Sequence, residues 1–301
     1  MIKLGILDFD TSHTVEFTKR LNNPEGTPKD QLVEGAQVVI GCAGESKLSP
    51  ERIKGFTDQM TKFGVPLVDK PADMIGKVDG MLIEAVDGTV HWERAKPFLE
   101  AGIPCFIDKP YACSLDDAKK MAELAAKKKL PIFSSSSLRY APEVVEYVAD
   151  AKHGKIAGCV TYGPASLSEV PERNAGLFHY GIHAVEVLYT LMGPGCKRVT
   201  CTVEKDVDVA TGTWADGRVA SVRGTRKPAS GFGFAAFAEK GVQAATVGTK
   251  FIYRELLKKV VEMFKTGKAP LDIAETIEIV AFIEAANRSG ANHGAGETVK
   301  V

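Results

Sequence analysis

The feature that most narrows the fold is the rhythm of the first 136 residues. Short apolar, often β-branched runs at 2–7, 38–40, 80–86, 105–107 and 131–133 alternate there with stretches of helical spacing. Repetition of this kind builds βαβ units and therefore a parallel sheet with helices packed on it. One helix is well marked. Ser114-Leu115-Asp116-Asp117 resembles a capping box, and Leu115, Ala118, Met121, Leu124 and Ala125 recur at helical spacing, which gives the helix an apolar face for the sheet. Residues 22–35, with Pro24, Gly26 and Pro28, read as a long loop before the second strand.

After about residue 137 the pattern changes. A helix is expected at 143–151, a loop at 162–176 and a second helix at 180–192, followed by strand-like segments. Ala215-Asp216-Gly217 and Glu239-Lys240-Gly241 look like hairpin turns joining runs at 211–214, 219–223, 232–238 and 242–247, and so predict an antiparallel sheet. A late helix should open at Asp272 and stop at Ser289-Gly290. The expected class is α/β, with a parallel-sheet domain over residues 1–136 and an α/β domain with a large, mainly antiparallel sheet over 137–301.

Composition removes several functions. The 38 Lys and Arg balance 38 Asp and Glu, so no general field draws the chain to nucleic acid or anionic lipid, and neither partner is expected. The cluster Lys127 to Lys129 closes the capped helix, where cations complement the helix dipole. No apolar run approaches the ~20 residues that span a bilayer, and the first residues lack the pattern of a signal peptide. Six scattered cysteines without a CxxC pair fit reduced thiols in a cytoplasmic protein.

Chemistry is expected where the strands end, because open parallel sheets bind ligands at the carboxyl ends of their strands. Asp108-Lys109-Pro110 follows the 105–107 run and precedes the capped helix, so Lys109 should emerge at such an end. A lysine there can give a proton to a reacting hydroxyl, or take one, when its surroundings tune it toward neutrality. A surface lysine in a Lys-Pro turn is the plain alternative. Further segments carry signatures: Ala101-Gly102-Ile103-Pro104 before that strand, residues 86–91 with His91, Ser137-Leu138-Arg139-Tyr140-Ala141-Pro142, His179-Tyr180-Gly181-Ile182-His183, and Glu297-Thr298-Val299-Lys300-Val301 at the end.

Taken together, these segments resemble the Gfo/Idh/MocA family of glucose–fructose oxidoreductase, inositol dehydrogenase and their relatives, with Asp108-Lys109-Pro110 in the place of the family's Glu-Lys-Pro. The resemblance implies a Rossmann-like domain holding NAD or NADP, a second domain for substrate binding and oligomerisation, and oxidoreduction at a carbon of a sugar, cyclitol or related polyol. It implies Lys109 as acid/base, with His183 on the same hydroxyl and His179 where the family carries Asp. Arg139 and Tyr140 would shape the substrate pocket. Asp8, Asp10, Thr11, Ser12, Glu45, His91, Asp108 and Lys109 would lie around the cofactor. A homodimer or homotetramer through the outer face of the antiparallel sheet is the implied assembly.

The chain departs from that pattern where the family carries its phosphate-cradling G-x-G-x-x-G. It reads Asp8-Phe9-Asp10-Thr11-Ser12-His13, with all three glycines missing. Two carboxylates are then expected to face the pyrophosphate, and like charges 4 Å apart cost about 1 kcal/mol in water and about 4 kcal/mol at an effective dielectric of 20. Asp10 or Ser12 is the expected N-cap of the following helix. The aligned ribose-binding position looks like Ala43, which leaves Glu45 as the nearby acid. His179 and His183, four apart on one predicted helix face, could chelate a divalent ion with Asp8, Asp10, His13 or His91. Only two ligands are secured there, so no metal is expected. The altered loop also favours a carbohydrate-binding or regulatory protein without hydride chemistry, and the histidine pair a metal-dependent lyase, isomerase or hydrolase.

Overall fold

The structure, a computed structural model, describes residues 1–24, 26–228 and 231–301. The chain divides into two compact units: Met1–Ala112, Asp116–Ser135 and Tyr253–Ile273 form the first, and Cys113–Leu115, Ser136–Ile252 and Ala274–Val301 the second. The expected division into 1–136 and 137–301 therefore needs correcting, because the chain returns to the first unit late. It returns through a helix that the sequence reading did not single out, Ile252–Thr266.

The first unit contains strands β1 (Ile2–Leu7), β2 (Ala36–Cys42), β3 (Gly80–Ile83), β4 (Cys105–Ile107) and β5 (Ile132–Ser134). They pair in parallel in the order β2-β1-β3-β4-β5. Beyond β2 a further parallel pairing survives as one bridge, Gly41 to Leu67, with Gly41 N donating to Pro66 O and Val68 N to Gly41 O, both at 2.9 Å. That bridge places a rudimentary strand outside β2, which gives the arrangement of a six-stranded Rossmann sheet. The connecting helices are α1 (Ser12–Asn22), α2 (Pro50–Lys62), α3 (His91–Glu100) and α4 (Leu115–Lys128).

α1 forms because Thr11 caps it, its side-chain oxygen accepting from His13 N, and because Val15, Phe17, Thr18 and Leu21 share a buried face. Asn23, left-handed at φ 49°, closes it and donates its N–H to Lys19 O. The N-cap is therefore Thr11, neither Asp10 nor Ser12, since Thr11 holds the extended cap conformation at φ −119° and ψ 152° and supplies the accepting oxygen. The core runs through Leu4, Ile6, Phe98, Phe106 and Phe133, all at or near zero exposure. The helix Ile252–Thr266 packs directly here: a Cβ on Gly80 would collide with the Phe264 ring, so only glycine lets the helix approach the start of β3.

The second unit holds α5 (Pro142–Ala149), β6 (Ile156–Pro164), α6 (Ile182–Met192), β7 (Cys196–Glu204), β8 (Val207–Trp214), β9 (Val219–Thr225), β10 (Phe232–Ala238), β11 (Gly241–Val247), and α8 (Ile273–Ala291), all but the first residue of which lies in this unit, with β12 (Glu297–Thr298) at the end; α7 is the helix Ile252–Thr266 described above. The sheet order is β11-β10-β6-β9-β8-β7-β12, antiparallel except where β6 runs parallel to β9. The predicted hairpins fall where expected. β6 lies near the middle of the sheet although the sequence reading left 156–164 without a strand, because Gly158, Cys159, Gly163 and Pro164 interrupt the apolar alternation that marks its neighbours. α6 is buried along almost its whole length, and Thr161 on β6 donates to Ala184 O at 2.9 Å. No helix of the described residues is long and apolar enough to cross a membrane.

Candidate active site

The turn after β1 opens on a left-handed residue that is not glycine. Asp8 adopts φ 68°, the left-handed conformation that glycine ordinarily supplies. Its carboxylate points inward, and Arg94 Nε of α3 donates to Asp8 Oδ2 at 3.1 Å. Gly44, at φ +65°, packs so close to Asp8 Oδ1 that a Cβ there would collide with it. Asp10 Oδ1 accepts from Val86 N at 2.9 Å. Both carboxylates are 1 % exposed.

The expectation that they face a bound pyrophosphate is thus corrected: each is spent on a neighbouring element of the same unit. Burial pushes the Asp8 carboxyl up to about 7, with Asp10 and Asp87 adding to the rise and Arg94 opposing it. Burial also raises Asp10, with the hydrogen bond from Val86 N opposing it. The turn still fits a dinucleotide. Its left-handed first residue survives, its carboxylates are buried rather than turned outward, and Ser12, the first residue of α1, stays exposed at the positive end of the helix. Glu45 is exposed and its carbonyl oxygen accepts from Arg94 Nη2 at 3.3 Å.

A buried charge cluster lies at the ends of β3 and β4. Lys109 Nζ sits 3.4 Å from Asp108 Oδ2, and His13 Nδ1 lies 3.0 Å from Asp108 Oδ1 and 3.8 Å from Glu84 Oε2, within ion-pair range and without hydrogen-bond alignment. Lys109 N donates to Asp108 Oδ1 at 2.8 Å. His13 stacks on Phe17 and meets the Tyr253 ring edge-on. Burial pushes the Asp108 carboxyl up, but His13 and Lys109 outweigh it and hold the group well below its ordinary value. Glu84 moves the other way: complete burial and the Asp108 charge raise it well above its ordinary value, with Lys109 only partly offsetting them. Lys109 itself is only 7 % exposed, so its ammonium is held by a carboxylate at a strand end rather than loose on a surface turn.

His91, implied to touch the cofactor, is completely buried. Its Nε2 lies 2.8 Å from Ala85 O, and its Nδ1 lies 2.9 Å from Pro110 O and 3.3 Å from Tyr111 O. It therefore fastens the loop after β3 to the segment after Lys109, and a ligand contact through its ring is corrected to this supporting role.

In the second unit, Ser136 Oγ accepts from Leu138 N at 3.2 Å and lies 2.7 Å from His183 Nδ1, which fixes the imidazole. The rings of Tyr180 and Phe232 meet it edge-on. His179 is not on the same helix, because α6 begins at Ile182 and residues 179–181 form a turn. The predicted histidine pair on one helix face is thus corrected, since Gly181 and the preceding 3₁₀ turn end helical spacing there. Arg139 is buried between two carboxylates, its Nη2 2.9 Å from Glu186 Oε2 and its Nη1 2.8 Å from Glu275 Oε1, which makes it a structural clamp. Tyr140, half-buried, ends the short turn Ser137–Tyr140.

Asp108, Lys109 and the β1–α1 turn are therefore brought together in one unit. Two residues there escaped the sequence reading. Glu84 could have been noticed as a carboxylate closing the otherwise apolar run Met81-Leu82-Ile83. Arg94 carries no sequence signal, because its partner Asp8 lies 86 residues away.

Comparison with known proteins agrees with this geometry. Residues 39–135 match the Gfo/Idh/MocA oxidoreductase family, NAD-binding Rossmann fold. The rhizopine catabolism protein MocA of Rhizobium meliloti is 25% identical over 171 residues, covering 52% of this chain and 54% of that protein. YceM of Salmonella typhimurium is 32% identical over 78 residues, 26% of this chain and 25% of that protein. The chain thus spans between a quarter and about half the length of these curated relatives. Among solved structures, myo-inositol 2-dehydrogenase from Lactobacillus plantarum superposes with a TM-score of 0.80 at 15% identity, covering 99% of each chain, a likeness of fold.

Proposed function

We propose that this chain, a member of the Gfo/Idh/MocA oxidoreductase family, is an NAD(P)-dependent dehydrogenase of a sugar, cyclitol or related polyol, with Lys109 as its acid/base group. The observation that carries the reading is Lys109 itself, held at the end of β4 with its ammonium 3.4 Å from a fully buried Asp108. A nicotinamide, when bound, supplies the hydride acceptor or donor; the β1–α1 turn, Ser12 and the Arg94 edge beside Glu45 are the residues suited to hold its dinucleotide. What the protein must provide is a place for the alcohol proton. Lys109 takes it or gives it back, while Asp108 keeps the side chain aimed. A positioned group of this kind contributes roughly 10²–10⁴-fold. In the second unit, taken by itself, His183, fixed by Ser136, is the candidate polar group for a polyol, with Tyr140 and His179 as further candidates.

The names of similar proteins, a myo-inositol 2-dehydrogenase from Lactobacillus plantarum and a rhizopine catabolism protein from Rhizobium meliloti, support polyols as the first class to try. Assembly as a homodimer or homotetramer is supported by a row of Val242, Phe237 and Val219, all exposed and aligned across β11, β10, β6 and β9 through Gly158. The six free cysteines support a cytoplasmic setting. The test is mass spectrometry of the gently purified protein for bound dinucleotide, then single-turnover hydride transfer with inositols and sugars. Lys109→Met should lower turnover by roughly 10²-fold or more in the folded protein, with a lower melt because the buried Asp108 loses its ammonium. Turnover within a few-fold of the parent would remove Lys109 from the chemistry, and absence of both dinucleotide and turnover would remove the dehydrogenase reading.

A further inference from the structure

Two buried carboxylates, one ammonium and one imidazole meet where α1 begins and β3 and β4 end. Glu84 is completely buried, and among the described residues neither of its oxygens has a hydrogen-bond partner. Asp108 is completely buried as well. Its Oδ1 is turned toward His13 and its Oδ2 toward Lys109. The ammonium and the imidazole both face Asp108, which leaves Glu84 as a buried polar group without a partner, and such a group is costly. Among the described residues no donor reaches Glu84 to supply that partner by a hydrogen bond.

From this convergence we propose that His13, Glu84 and Asp108 form a binding site for a first-row divalent cation of the zinc or manganese kind. The three side chains come from the N-terminus of α1 and the ends of β3 and β4, and one ligand atom of each lies within 4.8 Å of the others. Ligands about 2.0–2.2 Å from a common ion stand at most roughly 4.4 Å apart, so small side-chain adjustments suffice. Among the described residues no other group of three such ligands converges.

The donor set selects the ion. One imidazole and two carboxylates, without a thiolate, suit zinc, manganese or iron. Magnesium keeps most of its water and is poorly served by a site that admits almost none. Asp108 would bind through the oxygen facing His13 while its other oxygen stays with Lys109, an outer contact of the type that orients metal-bound carboxylates. The cation would tie the β1–α1 turn to two strand ends at the position where a glycine loop has been replaced by side chains. Nothing in this site depends on the dehydrogenase reading. A bound proton on Glu84 is the competing way to remove the charge, but it leaves both Glu84 oxygens without partners, whereas a cation engages all three side chains at once.

The test uses the full chain produced in zinc- or manganese-supplemented medium, desalted, and analysed for metal content and thermal stability before and after chelation. The parent should retain close to one equivalent, lose it to a strong chelator with a fall in Tm of several degrees, and bind manganese with an immobilised electron paramagnetic resonance spectrum. Glu84→Gln, isosteric and uncharged, should reduce metal to below about a tenth of an equivalent, and His13→Gln should do the same if Glu84→Gln folds poorly. His179→Ala should leave metal content unchanged. Metal-free parent protein that takes up neither ion and melts identically with and without chelator would overturn the site. So would stoichiometric metal that persists in folded Glu84→Gln, which would place the ion elsewhere.

Discussion

Replacing Asp8 by asparagine isolates the electrostatics of the turn that follows β1. Asp8 is 1 % exposed, and burial, with Asp10 and Asp87 nearby, raises its carboxyl from 3.8 to about 7 despite Arg94. The folded protein therefore holds this proton more tightly than the unfolded chain does. A raised carboxyl contributes stability that is complete below about pH 4 and is lost as pH rises through about 7. Because one pKa unit corresponds to about 1.4 kcal/mol, the full change is about 4 kcal/mol. Unfolding free energies of parent and Asp8→Asn, measured by denaturant titration from pH 4 to 8, should differ by an amount that falls about 1.4 kcal/mol per pH unit up to pH 7. Above pH 7 the difference should level off. The constant low-pH part of that difference reports the exchange of a neutral carboxyl for an amide, and the attraction of Arg94 for the carboxylate enters through the folded pKa and so through the slope. A difference independent of pH, or one rising with pH, would refute the argument that burial outweighs the guanidinium at this site.

Three further outcomes follow from the same geometry. Gly44→Ala places a methyl group at φ +65° against Asp8 Oδ1; it should cost at least about 1 kcal/mol in denaturant titration, and less than that in an Asp8→Gly background, a coupling that equal losses in both backgrounds would contradict. Arg139→Met strands Glu186 and Glu275 in the second unit, and removal of one partner from a buried ion group costs roughly 3–5 kcal/mol; a loss under 1 kcal/mol on urea unfolding would show that those carboxylates find other compensation. Replacing both Asp8 and Asp10 by glycine, which would strengthen dinucleotide binding if they faced the pyrophosphate, should change affinity by less than about threefold in calorimetry because both point inward; a tenfold gain would return them to the ligand.

Much of the architecture is legible without coordinates because it rests on local periodicity. Runs of β-branched residues, the Ser114 cap and the Asp216-Gly217 and Lys240-Gly241 turns each act over a few neighbouring residues, and strands and hairpins appeared close to their expected places. Lys109 was visible for the same reason, since its position follows from the strand before it and the helix after it. β6 and α7 were not legible: the glycines and proline of one hide its alternation, and the role of the other depends on which half of the molecule it packs against.

The side-chain partners of the site were beyond any reading of neighbours. Asp8 with Arg94, Asp10 with Val86, and His13 with Asp108 are separated by 76 to 95 residues, and each pair forms only because strand ends come together in a parallel sheet. The sequence by itself determined that a lysine stands at a strand end and that no glycine cradle follows β1. Whether the carboxylates of that turn face a ligand or the protein interior was decided by tertiary structure, because a charge is compensated by whatever lies within a few ångströms of it, and chain order does not specify that distance.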